Sequence, residues 1–298
     1  MKILLTGRNG QLGFELRRAL APLGELVALG HAECDLSDAA ALRARLREEK
    51  PDVIINAAAY TAVDKAENET ALAAAINARA PGVIGAEAER LGACVVHYST
   101  DYVFDGSKTA PYVEEDPTHP LSVYGKSKLD GELALQGSGA RHLIFRTSWV
   151  AGAHGNNFAK TILRLGAERD TLAVVADQFG VPTTASLLAD TTAQLLCRMQ
   201  QAGQDRFAFG LYHLVPSGET NWHEYACFVL REALQAGIPL KLQPQQVRAI
   251  TSAEYPLPAK RPANSRLDTT RLRRSFDLTL PDWQSGVQKL LQEIFTQS

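Results

Sequence analysis

Lys2-Ile3-Leu4-Leu5-Thr6-Gly7-Arg8-Asn9-Gly10-Gln11-Leu12-Gly13 decides how the rest of the chain is read. A short apolar strand runs into three glycines spaced GxxGxxG, a helix follows over Phe14 to Leu20, and a second strand, Leu26-Val27-Ala28-Leu29, completes a βαβ unit. In that setting the glycines are a dinucleotide fingerprint, because they let the backbone turn sharply and come close to a pyrophosphate. The helix start behind them offers free N–H groups and about half a positive charge to the anion. Gly7, Gly10 and Gly13 are therefore the first candidates for cofactor contact.

The next signals lie at the ends of the following strands. The second strand stops at Leu29-Gly30-His31, where an NAD site often carries an acidic residue for the ribose hydroxyls, and here it carries none. Arg8, inside the glycine loop, is either a solvated charge or the partner of a 2′-phosphate, so NADPH is the expected cofactor, with NADH left open beside it. Asp35 is placed to cap a helix beginning near Asp38. A third strand, Asp52 to Asn56, runs into Ala57-Ala58-Ala59-Tyr60-Thr61-Ala62-Val63-Asp64, whose small side chains permit a flat cofactor to approach. A helix is predicted over Thr70 to Arg90.

A fourth apolar run, Cys94-Val95-Val96-His97-Tyr98, breaks into Ser99-Thr100-Asp101-Tyr102, which delivers hydroxyls to the carboxyl edge where open α/β sheets hold ligands. Tyr124 and Lys128 stand four apart, so a helix through Leu135 puts phenol and ammonium on one face. A free phenol has a pKa of about 10, and a cation beside it stabilises the phenolate, so Lys128 is expected to make Tyr124 a better acid. His142 to Val150 repeats the strand-then-polar pattern and brings Arg146, Thr147 and Trp149 to the same edge. Trp149 is either ordinary core or a platform for a sugar or base. Strands alternating with helices through residue 150 predict an α/β fold with a Rossmann-type, doubly wound parallel sheet.

Composition bounds the function. The chain has 298 residues, 45% hydrophobic and 21% charged, with 31 basic against 33 acidic residues and a net charge of -2. Nothing in that balance calls for nucleic acid or a membrane surface. The four cysteines lie far apart, match neither a zinc spacing nor a disulfide framework, and with the seven unclustered histidines give no metal site. No signal-peptide region or spanning segment is evident, which points to the cytoplasm.

Residues 1–150 are read as the dinucleotide-binding domain and 151–298 mainly as a smaller α/β substrate-binding domain. The latter is expected to hold helices at Phe158 to Glu168, Ala185 to Gln200 and Asn221 to Ala236, and strands at Leu172 to Val175 and Tyr212 to Val215. The strand at 172–175 is read as one able to rejoin the main sheet. Pro256, Pro258 and Pro262 exclude regular structure between Thr251 and Asp268, yet Lys260, Arg261 and Arg266 make that loop basic, suited to a diphosphate or simply solvated.

Seven segments in a shared order carry a resemblance over nearly the whole length. They are the GxxGxxG start, Asn56 to Asp64, Ser99-Thr100-Asp101-Tyr102-Val103-Phe104, Tyr124-Gly125-Lys126-Ser127-Lys128, Arg146-Thr147-Ser148-Trp149-Val150, Asp177-Gln178-Phe179-Gly180-Val181-Pro182-Thr183 and Arg261-Pro262-Ala263-Asn264-Ser265-Arg266-Leu267. The chain resembles the dTDP-4-dehydrorhamnose reductase family of the extended short-chain dehydrogenase/reductases. That resemblance implies a catalytic triad of Thr100, Tyr124 and Lys128, with hydride delivered from a nicotinamide to carbon 4 of dTDP-4-dehydro-6-deoxy-L-mannose to give dTDP-L-rhamnose. It implies cofactor contacts at Gly10, Gln11, Leu12, Gly30, Asp35, Leu36, Ala59, Tyr60, Thr61, Tyr124 and Lys128. Substrate contacts fall to Thr100, Asp101, Tyr102, Trp149 and Arg261, and Asn77 matches a buried asparagine of the family. Some relatives join subunits through carboxylates around magnesium. Glu15 matches one of these, but Ser186 stands where another would be, so no metal is expected and the chain is read as a monomer or homodimer. Rival readings are a sugar-nucleotide dehydratase or epimerase, which the Asp101-Tyr102 pair disfavours for want of a second acid, and a non-catalytic NADP-binding regulatory subunit.

Overall fold

Strands with apolar residues on both faces can only be satisfied inside a sheet covered on both sides. β1 (Lys2–Thr6), β3 (Val53–Asn56) and β4 (Cys94–Thr100) are of this kind, buried along nearly their whole lengths in the computed structural model, which describes residues 1–297. With β2 (Glu25–Leu29), β5 (His142–Thr147) and β6 (Gly210–His213) they form one sheet in the order β2-β1-β3-β4-β5-β6, every pairing parallel. The chain leaves β1 in one direction and returns on its other side as β3. A crevice opens at such a reversal, beyond the carboxyl ends of β1 and β3.

Helices fill both faces. α1 (Gln11–Leu20) packs against a long later helix, Ala185–Ala202, through Leu12, Leu16 and Leu20 over Ile3, Leu5 and Leu188. On the other face α2 (Ala39–Glu49), α3 (Ala80–Leu91) and α4 (Val123–Gln136) pack in sequence, burying Leu42, Leu46, Ile84 and Leu135 over Leu4, Ile54, Val95 and Ile144. α2 begins at Asp38, whose carboxylate accepts from Ala40 N and Ala41 N. That leaves Asp35 free of capping. The helix expected over Thr70 to Arg90 is present as a continuous run from Thr70 to Leu91, with a wider π turn at Ala75–Arg79 between its first turn, Thr70–Ala74, and α3.

A second core lies beside the sheet. The helices Phe158–Glu168, Trp222–Gln235 and Trp283–Gln297 enclose Tyr225, Val229, Leu230, Val287 and Leu291. The strand Leu172–Val175 pairs in parallel with Val247–Ile250 in a sheet of two, and does not rejoin the main sheet as expected. One face of it, through Leu172 and Val174, packs into this second core, whereas β6, from residues 210–213, supplies the sixth strand beside β5. The helix Ala185–Ala202 and β6 thus return the chain to the first layer after residue 151.

Candidate active site

The glycine loop is tight because of what stands behind it. Gly7 has φ +77, a region that favours glycine, and a Cβ at Gly13 would lie 2.0 Å from the Gly7 carbonyl oxygen. A Cβ built on Gly10 would meet nothing nearer than the Gly7 carbonyl oxygen at 3.4 Å, so its open side faces outward. There begins a cavity of about 740 Å³, lined at one end by Gly7, Gly10, Gln11, Leu12, Gly30, Asp35 and Leu36. Ala57, Ala58, Ala59 and Thr61 form its middle wall. Its inner end is built by Ser99, Thr100, Asp101, Tyr102, Tyr124, Lys128, Thr147, Trp149 and Trp222. Ser99 Oγ and Thr147 Oγ1 are buried there without a protein hydrogen-bond partner among the described residues, a vacancy suited to a polar ligand.

Thr100 ends β4. It donates to Asp101 Oδ1 at 3.0 Å and accepts from Tyr102 N at 3.2 Å, so the chain turns immediately and its hydroxyl stays at the sheet edge. α4 starts at Ser122, whose hydroxyl accepts from Gly125 N, and it comes close to that edge because Gly125 has no side chain. A Cβ there would sit 2.2 Å from the Tyr102 carbonyl oxygen. Tyr124 and Lys128 therefore reach the same wall as Thr100.

The expected acidification of Tyr124 by Lys128 is not what the geometry gives. Burial pushes the Tyr124 phenol up to about 12, while a hydrogen bond with Thr100 pulls it down and the Asp101 carboxylate pushes it up again. Lys128 is 2% exposed and spends its ammonium on the Tyr98 carbonyl at 2.6 Å. Burial lowers its pKa to about 8, with Glu132 opposing. Asp101, wholly buried, is raised to about 6.

Behind Lys128 runs a polar chain through the sheet. Thr6 Oγ1 donates to Asn56 Oδ1 at 2.8 Å, and Asn56 Nδ2 meets His97 Nδ1 at 3.1 Å. His97 Nε2 lies 3.4 Å from Lys128 Nζ. Burial holds His97 neutral, well below its usual range. With the Asn56 amide in this orientation, Nδ1 accepts, the ring proton sits on Nε2 and an N–H faces Lys128. That N–H offers the ammonium no acceptor, so it is the Tyr98 carbonyl that holds Lys128.

Comparison with known proteins is concordant over the full length. The family described as the RmlD substrate binding domain matches residues 1–296. A protein of Escherichia coli K12, dTDP-4-dehydrorhamnose reductase, is 53% identical over 300 residues, covering 99% of each chain. The chain belongs to the dTDP-4-dehydrorhamnose reductase family. A crystal structure of such a reductase from Clostridium acetobutylicum superposes with a TM-score of 0.89 at 36% identity, covering all of both chains. One from Bacillus anthracis, in complex with NADP, gives 0.87 at 32% identity, covering 100% and 99%.

Several residues expected to contact ligand in a reductase of this family lie off the cavity wall. Gly13 packs behind the loop against Gly7. Tyr60 is clamped by Asn77, which accepts from Tyr60 N and donates to its carbonyl, both at 2.9 Å, while the Tyr60 hydroxyl turns to Glu69. Asn77 sits in the π turn, which aims its amide at Tyr60 and also at Ser127 on α4. Arg8 pairs with Glu33 at 2.5 Å. Arg261 is held by Asp64 through two contacts, 2.8 and 3.1 Å, and Arg266 by Glu219, so these two cations of the basic loop are already paired. Glu15 pairs with Arg18, which also reaches Asp190.

Trp149 has φ +46 and lies face to face with Trp222, ring centroids 3.7 Å apart, both on the cavity wall. Trp222 drew no attention in the sequence, since a tryptophan at a helix start reads as core. His97 could have been suspected as the lone polar side chain in the run Cys94 to Tyr98. The buried pair of Glu132 and Arg146, at 2.7 Å, carries no local signal at all, being 14 residues apart on a helix and a strand.

Proposed function

We propose that this chain reduces the 4-keto group of dTDP-4-dehydro-6-deoxy-L-mannose with NADPH to give dTDP-L-rhamnose. The observation that carries the reading is the convergence of Thr100, Tyr124 and Lys128 on the inner end of a cavity whose outer end is the glycine loop. Family membership and a relative held in complex with NADP support it.

The walls fit a dinucleotide: Gly10 opens toward the cavity, Ala57 to Ala59 are small, and two buried hydroxyls await partners. Gly7, Gly10, Gln11, Leu12, Gly30, Asp35, Leu36, Ala59 and Thr61 would hold it, with Lys128 at the nicotinamide ribose. When bound, reduced NADP supplies the hydride for carbon 4 of the sugar. Tyr124 then gives its proton to the resulting oxygen, and Thr100 holds that oxygen by a hydrogen bond. A phenol raised to about 12 suits this direction, because an acid for reduction must begin protonated. It remains the stronger acid, since an alcohol is about as weak as water, whose pKa is about 15.7. Lys128 acts by position.

Asp101, Tyr102 and the stacked pair Trp149 and Trp222 form the substrate side, where a flat apolar platform suits a sugar or a base. A left-handed backbone at a tryptophan costs about 1–3 kcal/mol, a strain that supports a functional placement for Trp149. Arg261 reaches a diphosphate only by leaving Asp64. Residues 1–150, with the returning helix and β6, serve the cofactor, and the second core serves the substrate. We place the enzyme in the cytoplasm, as a monomer or homodimer; no helix among the described residues is long and apolar enough to cross a membrane.

The test is to mix the protein with NADPH and dTDP-4-dehydrorhamnose, follow the reduced-nicotinamide absorbance, and identify the sugar by NMR. Stoichiometric loss of NADPH with formation of dTDP-L-rhamnose is expected. Cofactor binding without consumption would favour a regulatory subunit, and loss of water from the sugar a dehydratase.

A further inference from the structure

Beside the outer end of the cavity, behind Gly30, stands a carboxylate that its sequence position conceals. Gly30 ends β2 where a side-chain acid would meet a ribose, and it has no side chain. A Cβ built there would lie 2.9 Å from Asn9 Nδ2, 3.0 Å from Glu33 Oε2 and 3.5 Å from Arg8 Nε. Glu33, three residues on, has folded back: its Oε2 accepts from Gly30 N at 2.9 Å and its Oε1 from Arg8 Nη2 at 2.5 Å. Arg8 is anchored on its other side, donating through Nη1 to the Ala28 carbonyl at 3.1 Å. Gly30 and Asn9 line the cavity described above, and Arg8 with Asn9 lines a second, more open depression that shares Asn9 with it.

In dinucleotide folds a carboxylate at the end of the second strand accepts from the ribose 2′-hydroxyl of NAD, and an arginine there accommodates the 2′-phosphate of NADP. Here both groups are present and bound to one another. We propose that Arg8 and Glu33 form a selector between the two reduced nucleotides, in which Glu33 is the specificity-determining residue that holds down the preference for the phosphorylated one. An unphosphorylated ribose donates to Glu33 while the ion pair stays closed. A 2′-phosphate repels Glu33 and competes with it for Arg8, so it binds only as the carboxylate swings away. Both side chains are more than a third exposed, so Glu33 has solvent to move into. This inference rests on the cofactor assignment made above and deepens it.

The experiment is calorimetric titration of the full chain with NADPH and NADH without any sugar, in the wild type, Glu33→Gln and Arg8→Met, with 2′,5′-ADP and 5′-AMP as fragments. Glu33→Gln is expected to tighten NADPH about threefold to tenfold and to weaken NADH by a similar factor. Arg8→Met is expected to weaken NADPH and 2′,5′-ADP at least about tenfold while NADH and 5′-AMP shift by less than about threefold. Opposite movement of the two affinities in Glu33→Gln is a signature that mere loss of a surface ion pair does not produce. Parallel changes for both nucleotides, or weaker NADPH in Glu33→Gln, overturn the selector and leave the cofactor assignment standing. A wild type that binds neither nucleotide overturns that assignment and the selector with it.

Discussion

The two ends of the cavity are built on opposite principles. At the inner end Lys128, His97, Asn56 and Thr6 are buried, joined by contacts of 2.8 to 3.4 Å that run from β1 to α4, and Lys128 is held again by the Tyr98 carbonyl. At the outer end Arg8 and Glu33 meet in partial contact with water. A buried polar network is costly to disturb, because a group left alone there has no solvent to turn to. An exposed ion pair contributes about 0–1 kcal/mol and is easily exchanged for another partner. On the proposed assignment the chemistry falls within the buried network, and cofactor choice at the pair exposed to solvent.

Substitutions can break that contrast, and their effects should fall from the inner end outward. Lys128→Met removes the ammonium from the Tyr98 carbonyl and, on the proposed assignment, from the nicotinamide ribose, and turnover should drop by about 10²–10⁴ in the reduced-nicotinamide assay. Retention of more than a tenth of the wild-type rate would show that the network only supports the fold.

Glu132→Gln tests the burial behind the site. It leaves the Arg146 charge buried without its partner, and chemical denaturation should report a loss of about 3–5 kcal/mol. A loss under about 1 kcal/mol would mean that the pair is reached by water.

Asp101 sharpens the comparison through pH. Its folded pKa of about 6 lies above the ordinary 3.8, so protonation stabilises the folded protein. That contribution is full below about pH 4 and is lost as pH rises through about 6. The stability of the wild type relative to Asp101→Asn should therefore fall between those values and level off above them. A difference that rises with pH instead would place Asp101 in contact with a cation. The smallest effect belongs to Arg8 and Glu33, where exchange of one partner redistributes nucleotide affinity without altering the fold.

How much was legible in the sequence follows the same division. The glycine loop, the strand ends at Thr100 and the Tyr124 and Lys128 spacing are local patterns, and the chain brings them together as read. What could not be read depends on neighbours distant in sequence. Lys128 was paired with Tyr124 because they share a helix face, yet its ammonium is taken by the Tyr98 carbonyl, 30 residues away. Arg261 looked free in a basic loop and is held by Asp64, 197 residues away. The strand at 172–175 has the composition of a sheet strand, but its partner was decided by the packing of the second core.

The most direct test of the account is Tyr124→Phe, with NADPH affinity measured by calorimetry and turnover measured on dTDP-4-dehydrorhamnose. The account predicts an NADPH Kd within about threefold of the wild type and turnover lower by about 10²–10⁴. Unchanged turnover would remove this phenol from the chemistry.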